Sequence, residues 1–214
     1  MGAAPALGTA GAAVENGVIS IDIREKRFGD TAVLGRIRFD IAEGEAVALV
    51  GPSGVGKSTL LRIVAGIDTR FEGRVQRPEA LAFVFQEPTL LPWRHALDNI
   101  LLPNPGLSHD AALAGLERVG LAGKAEVFPG QLSLGQQRRL ALARAFAGRP
   151  AFLIMDEPFV SLDGETAEQM LALTEALIAE RRPATLFVTH NRAEADRLGD
   201  RILELKGQPA ELQG

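Results

Sequence analysis

The sequence predicts an α/β protein: a mainly parallel sheet, with an antiparallel β lobe ahead of it in the chain and a helical lobe inserted into it. Three observations carry that expectation. Short, near-continuous apolar runs, EAVALV (45–50), LAFVF (81–85), AFLIM (151–155) and TLFVT (185–189), have the length and composition of strands covered on both faces. Helical patterns alternate with them, and that alternation marks a parallel sheet flanked by helices. Ahead of them, two segments alternate strictly between apolar and polar residues, as half-buried antiparallel strands do.

In chain order, residues 1–17 (MGAAPALGTAGAAVENG) are small and weakly patterned, with no Lys or Arg before Arg24, so they read as a flexible tail without the basic start of a secretory signal. From Val18, Ile19, Ile21 and Ile23 point one way and Ser20, Asp22 and Arg24 the other. RIRFDI repeats the pattern, with Ile37, Phe39 and Ile41 opposed to Arg36, Arg38 and Asp40. Helices follow in KSTLLRIVAG closing at Gly66, ETAEQMLALTEALIAERR before Pro183, and RAEADRLG closing at Gly199. Residues 87 to about 149 begin rich in proline and continue with HDAALAGLERVG and GQQRRLALARAFAG, which reads as the inserted helical lobe. The expected organisation is one domain over 18–206, with 207–214 as a C-terminal tail.

Composition narrows the chemistry. The 214 residues are 46% hydrophobic, enough for the core of one large domain. Net charge is −4, from 23 basic and 27 acidic side chains mixed along the chain, so no basic block points to nucleic acid or to an anionic membrane surface. The absence of cysteine excludes disulfides, thiolate catalysis and cysteine-ligated metal. No apolar run approaches the roughly 18–20 residues of a spanning helix, so direct membrane insertion is not expected.

GPSGVGKST, Gly51 to Thr59, fits Gly-x4-Gly-Lys-Ser between a strand pattern and a helix pattern. In the loop Gly51, Pro52, Ser53, Gly54, Val55, Gly56 the glycines would let backbone N–H groups point inward around phosphate oxygens, Lys57 would neutralise charge, and the Ser58 hydroxyl, followed by Thr59, would ligate Mg²⁺. FLIMDEP places Asp156 and Glu157 at the C-terminal end of a buried strand, where open parallel sheets bind ligands. Asp156 is the candidate for holding Mg²⁺ and Glu157 the candidate base for an attacking water. His190 after TLFVT and Gln86 after LAFVF sit at equivalent strand ends, His190 as a γ-phosphate contact and Gln86 as a contact to Mg²⁺ or the attacking water. His95 and His109 read as structural or surface residues. QLSLGQQRR (131–139) has a self-sufficient explanation, since Ser133 and Gln136 make a Ser-x-x-Gln capping box at a helix start.

Together the phosphate loop, Gln86, LSLGQ, MDEP, SLD (161–163) and His190 resemble, in order and approximate spacing over nearly all of residues 18–206, an ATP-binding-cassette ATPase. The resemblance implies a P-loop NTPase core, with ATP and Mg²⁺ as cofactors. It also implies a head-to-tail dimer in which Ser133, Leu134, Gly135 and Gln136 of one subunit reach the γ-phosphate held by the phosphate loop of the other. By the same resemblance Phe28 stacks on adenine or belongs to the core, Gln86 is a nucleotide-sensing hinge, and Asp163 is a contact across the dimer. Two residues depart from the family pattern: Phe28 stands where tyrosine is usual, and Leu134 where glycine is usual. FQEPTLLPWRHALDNI further resembles bacterial importer ATPases serving nitrate, sulfonate and taurine permeases, in which Trp93, Leu90, Leu91 and Leu97 would supply an apolar permease contact, with core packing of the helical lobe as the alternative for the three leucines. The implied function is an ATP-hydrolysing importer subunit at the cytoplasmic face of the inner membrane. Its partners would be a second copy, a transmembrane permease and a periplasmic binding protein. A soluble cassette serving a non-transport assembly complex is the rival reading.

Overall fold

The computed structural model describes residues 19–213, so the tail expected over 1–17 lies outside the described residues. In chain order, β1 (Ile19–Phe28), β2 (Thr31–Leu34) and β3 (Ile37–Ile41) precede β4 (Ala46–Val50), which leads into α1 (Lys57–Val64). β5 (Glu72–Gln76) and β6 (Leu81–Val84) follow, then the helices α2 (Ala96–Leu101), α3 (His109–Arg118) and α4 (Leu134–Ala147). The chain ends with β7 (Phe152–Asp156), α5 (Gly164–Arg181), β8 (Ala184–Val188), α6 (Arg192–Leu198), β9 (Arg201–Gly207) and β10 (Ala210–Gln213).

The central strands run β9-β4-β8-β7-β6, and all these neighbours are parallel. Their near-continuous apolar sequence is explained by burial on both faces: Leu153 and Met155 of β7 point into one cluster with the helical lobe, while Phe152 and Ile154 point into another with α1. That second cluster also holds Ile19, Ile21, Ile23, Ile37 and Ile41, so α1 is packed between the parallel sheet and the antiparallel lobe.

β1 serves three partners because it changes neighbours part-way. Its first half lies antiparallel to both β3 and β5, with Ile21 opposite Phe39 and Val75. From Lys26 the strand pairs with β2, and a register shift between Lys26 and Arg27 falls within that ladder, the local bend expected where a bulge interrupts pairing.

The C-terminal segment corrects the sequence expectation. Residues 207–214 are not a tail throughout, because Ala210–Gln213 is a strand antiparallel to β9, with Leu212 opposite Leu205. Ala210 is fully buried and pairs with Leu34, so this strand joins the antiparallel lobe to the parallel sheet. Four residues with one buried position carry too little periodicity to be recognised alone. β2, β5 and α2, only four to six residues long, are likewise too short for the sequence pattern to announce. EGRVQ in β5 is polar and becomes a strand by pairing with β1.

Candidate functional site

Strand register brings separated loops to one edge. Leu49 lies beside Val188, Val188 beside Asp156, and Met155 beside Val84. The chain therefore leaves β4, β8, β7 and β6 on the same side, carrying Gly51, His190, Glu157 and Gln86 respectively. This is the carboxyl edge, where parallel α/β sheets place ligands.

The loop Gly51–Thr59 is shaped by close backbone approach. Gly56, the N-cap of α1, has φ 116°, and a Cβ there would lie 2.7 Å from Leu34 Cδ2. Gly51 is equally confined, since a Cβ would meet the Leu205 carbonyl at 2.4 Å. Pro52, Ser53 and Gly54 are exposed at the loop's outer rim, and the Val55 N–H donates to the Pro52 carbonyl at 3.4 Å. Lys57, only 5% exposed, donates to the carbonyls of Gly51 (2.8 Å) and Pro52 (2.9 Å), which braces the loop and holds the ammonium in its mouth. Thr59 is half-buried on α1.

The acid pair faces this loop. Ser58 Oγ donates to Asp156 Oδ1 at 3.1 Å. Burial pushes the Asp156 carboxyl pKa up, against the lowering pull of the Ser58 hydrogen bond. Glu157 has left-handed backbone, φ 45°, and its N–H donates to the Val188 carbonyl at 3.0 Å. One carboxylate oxygen lies 3.8 Å from Lys57 Nζ and the other 3.6 Å from His190 Nδ1. The turn bearing His190 is fixed by Glu194, which accepts from Thr189 Oγ1 and Asn191 Nδ2.

For a divalent cation, the described residues contain no cluster of three or more His, Cys, Asp or Glu side chains. The Ser58 hydroxyl and the Asp156 carboxylate are two adjacent hard oxygen donors. That set fits Mg²⁺, which keeps waters and takes substrate phosphates alongside one or two protein oxygens.

Gln86 is exposed beyond β6. Its loop is pinned by Arg144 of α4, which donates to the carbonyls of Thr89 (2.8 Å) and Pro88 (3.0 Å). Phe28 is 50% exposed, which removes the core alternative. Lys26 Nζ lies 4.5 Å from the Phe28 ring centroid and pairs with Asp68 at 2.6 Å. Phe28 faces Thr31 across the β1–β2 hairpin, whose β2 residues Val33 and Leu34 border Gly56, so the ring sits on the lobe that abuts the phosphate loop.

Ser133 to Gln136 and Asp163 form a second group. Ser133 is the N-cap of α4 with a reciprocal capping box to Gln136. Leu134 is 43% exposed and is absent from the non-glycine residues with positive φ. At Gly135 a Cβ would lie 2.9 Å from Thr166 Cγ2, a methyl that would have to turn aside. Asp163 caps α5 by accepting from the Thr166 N–H at 3.0 Å, and that backbone hydrogen bond holds its carboxyl below the usual range. Among the described residues no side-chain hydrogen bond links these five residues to Lys57, Ser58, Asp156 or Glu157.

A family profile described as "ABC transporter" matches residues 34–160, which span the phosphate loop, the capped turn and the acid pair. The chain belongs to the ABC transporter family. It is 44% identical over 199 residues to the aliphatic sulfonates import ATP-binding protein SsuB 2 of Rhodococcus jostii (strain RHA1), covering 91% of this chain and 82% of the relative. Identity to SsuB 2 of Rhizobium johnstonii is 48% over 183 residues, 84% of this chain and 74% of that one. Among solved structures, a dimeric ATP-binding cassette in a post-hydrolysis state with ADP and Pi superposes with a TM-score of 0.78 at 32% identity, covering 92% of this chain and 97% of that chain. This ABC transporter cassette therefore has the P-loop NTPase fold that its sequence resembled.

In this cassette the LLPWR segment divides. Trp93 is 69% exposed, whereas Leu97 is buried in the helical lobe, which decides its two alternatives for the core. Leu90 packs partly against the same core and Leu91 is half-buried. Sequence reasoning passed over Asn99, which is buried and holds this loop. Its Oδ1 accepts from the Leu91 N–H (2.7 Å), and its Nδ2 donates to the carbonyls of Leu91, Arg94 and His95. Also passed over were Arg138 and Arg144. The available signal was a charged residue spaced i, i+4 with apolar neighbours, as Arg138 is with Leu134 and Leu142.

Proposed function

We propose that this chain is the ATP-hydrolysing subunit of an importer-type ABC transporter, binding ATP and Mg²⁺ at the carboxyl edge of its sheet and closing on a second copy to drive a separate transmembrane permease. The observation that carries the reading is the run of contacts Lys57–Glu157–His190, at 3.8 and 3.6 Å, beside the Ser58–Asp156 pair at 3.1 Å. In this reading the backbone N–H groups of the phosphate loop and Lys57 bind the β- and γ-phosphates, and Phe28 offers its free face to adenine. Ser58 and Asp156 hold Mg²⁺, which supplies charge neutralisation on the phosphate oxygens.

Glu157 accepts the proton of the attacking water, since its carboxylate lies 3.8 Å from Lys57 while that of Asp156 is taken up by Ser58, and His190 beside it orients that carboxylate and the γ-phosphate. Gln86, at the same edge, contacts the water or the metal. Ser133, Leu134, Gly135 and Gln136 act on the partner's nucleotide, with Asp163 at the same interface. Trp93, held out by the Asn99-braced loop, supplies the apolar contact to the permease. A periplasmic binding protein completes such a system, and the relatives' names point to aliphatic sulfonates as its cargo. The chain would then sit at the cytoplasmic face of the membrane through the permease, in keeping with the lack of any described helix long and apolar enough to span it.

The test is Glu157→Gln, which keeps size and removes the base. Hydrolysis should fall by roughly 10² to 10⁴ while ATP binding persists, and an ATP-dependent dimer should accumulate on size exclusion. Near-normal turnover would place the base elsewhere.

A further inference from the structure

Arg138 sits one turn into α4 and is only 7% exposed. Its Nη1 donates to the Pro158 carbonyl at 2.9 Å. Its Nε is, among the described residues, the one buried side-chain nitrogen or oxygen with no hydrogen-bond partner. Arg144, farther along the same helix, has three acceptors on Pro88 and Thr89. A guanidinium buried against a neutral carbonyl and left partly unsatisfied costs stability rather than adding to it. Packing therefore does not account for an arginine here, but the residue it touches does.

Pro158 follows Glu157, whose φ of 45° places a non-glycine residue in the left-handed region. Such conformations persist where their surroundings over-determine them. The turn is tied on both sides: the Glu157 N–H is held by Val188, and the Pro158 carbonyl is held by Arg138. We propose that Arg138 is a positioning residue for Glu157, its Nη1 fixing the turn that aims the Glu157 carboxylate at the phosphate loop. This rests on the reading of Glu157 as the base. Because α4 begins at Leu134, the helix that carries the capped turn also holds the base of its own site.

The experiment compares Arg138→Met, Arg138→Lys, Glu157→Gln and the Arg138→Met/Glu157→Gln double variant in the full chain, reading kcat, KM for ATP, nucleotide affinity and thermal midpoint. Misplacing a reacting group by a small distance costs up to about 10²-fold, so Arg138→Met should lower kcat about 10- to 100-fold. KM should stay within about twofold, since ground-state binding is untouched. The thermal midpoint should hold or rise, because a buried charge has been removed. Arg138→Lys keeps a donor and should recover part of the loss. In the double variant, Arg138→Met should add nothing to Glu157→Gln.

Unchanged kcat in Arg138→Met, a kcat loss that tracks a fallen midpoint, or an undiminished further loss in the double variant would each overturn the proposal. If Arg138→Met does not fold, Arg138→Lys decides by the same kcat-against-KM split. Near-normal hydrolysis in Glu157→Gln would overturn the base assignment and this proposal together. Lost hydrolysis there with full activity in Arg138→Met would overturn the proposal alone.

Discussion

Two helix starts in this cassette solve one problem in opposite ways. Every helix leaves its first N–H groups without intrahelical partners, and its N-terminus is electropositive. At α1 the N-cap is Gly56, which has no side chain to cap with, has φ 116°, and lies where a Cβ would meet Leu34 and Val33. No side chain caps that first turn, so on the proposed function its donors are open to a ligand. At α4 the N-cap is Ser133, whose Oγ accepts from the Gln136 N–H at 3.3 Å while Gln136 Oε1 accepts from the Ser133 N–H at 3.1 Å. The second start is satisfied within the chain. A phosphate arriving there competes with its capping box, whereas the phosphate loop is ready beforehand. On the proposed function, one turn would bind by itself and the other would act on what a second subunit brings.

The sharpest way to break this contrast is Lys57→Ala. Removing a buried cation from the loop mouth should weaken ATP binding by about a hundredfold or more, the range for truncating one partner of a desolvated charge pair. Equilibrium binding to the isolated chain measures it, and unchanged affinity would end the phosphate-loop assignment. Next in size is Gly56→Ala. It forces an L side chain to positive φ against Leu34, a strain of about 1–3 kcal/mol, and should lower both thermal midpoint and ATP affinity.

Ser133→Ala probes the other helix start. Loss of an N-cap costs about 0.5–2 kcal/mol of helix stability, so the midpoint should fall slightly. ATP affinity of the isolated chain should not change, while ATP-dependent dimer formation by the Glu157→Gln background should weaken. A drop in monomer affinity would show that the two helix starts serve one nucleotide. The smallest effect is expected from Leu134→Gly. Leu134 is exposed, has no positive φ and occupies the first turn of α4, an arrangement in which its backbone N–H could act as a donor with the side chain turned outward. Glycine there costs about 1 kcal/mol, and steady-state ATPase of the cassette assembled with its permease should shift only modestly. A tenfold or larger rise would mean that the leucine obstructs the partner's phosphate.

The sequence by itself determined what is local or contiguous. Periodicity marked the half-buried strand from Ile19 and the doubly buried strands around Leu49, Ile154 and Leu186, because burial on one or two faces writes a period directly into the residues. The phosphate loop, the acid pair and the capping box were legible because each is a short run whose chemistry is carried by its own neighbours. Only the tertiary structure decided which distant groups meet. Strand register set Glu157 within 4 Å of both Lys57 and His190, helix packing set Gly135 against Thr166, and a single side chain joined Arg138 to Pro158. It also made a strand of Ala210–Gln213 and a core residue of Leu97. The physical reason is common to all of these: a contact between segments far apart in the chain depends on register, twist and side-chain reach summed over the whole fold, and no window of neighbouring residues encodes that sum.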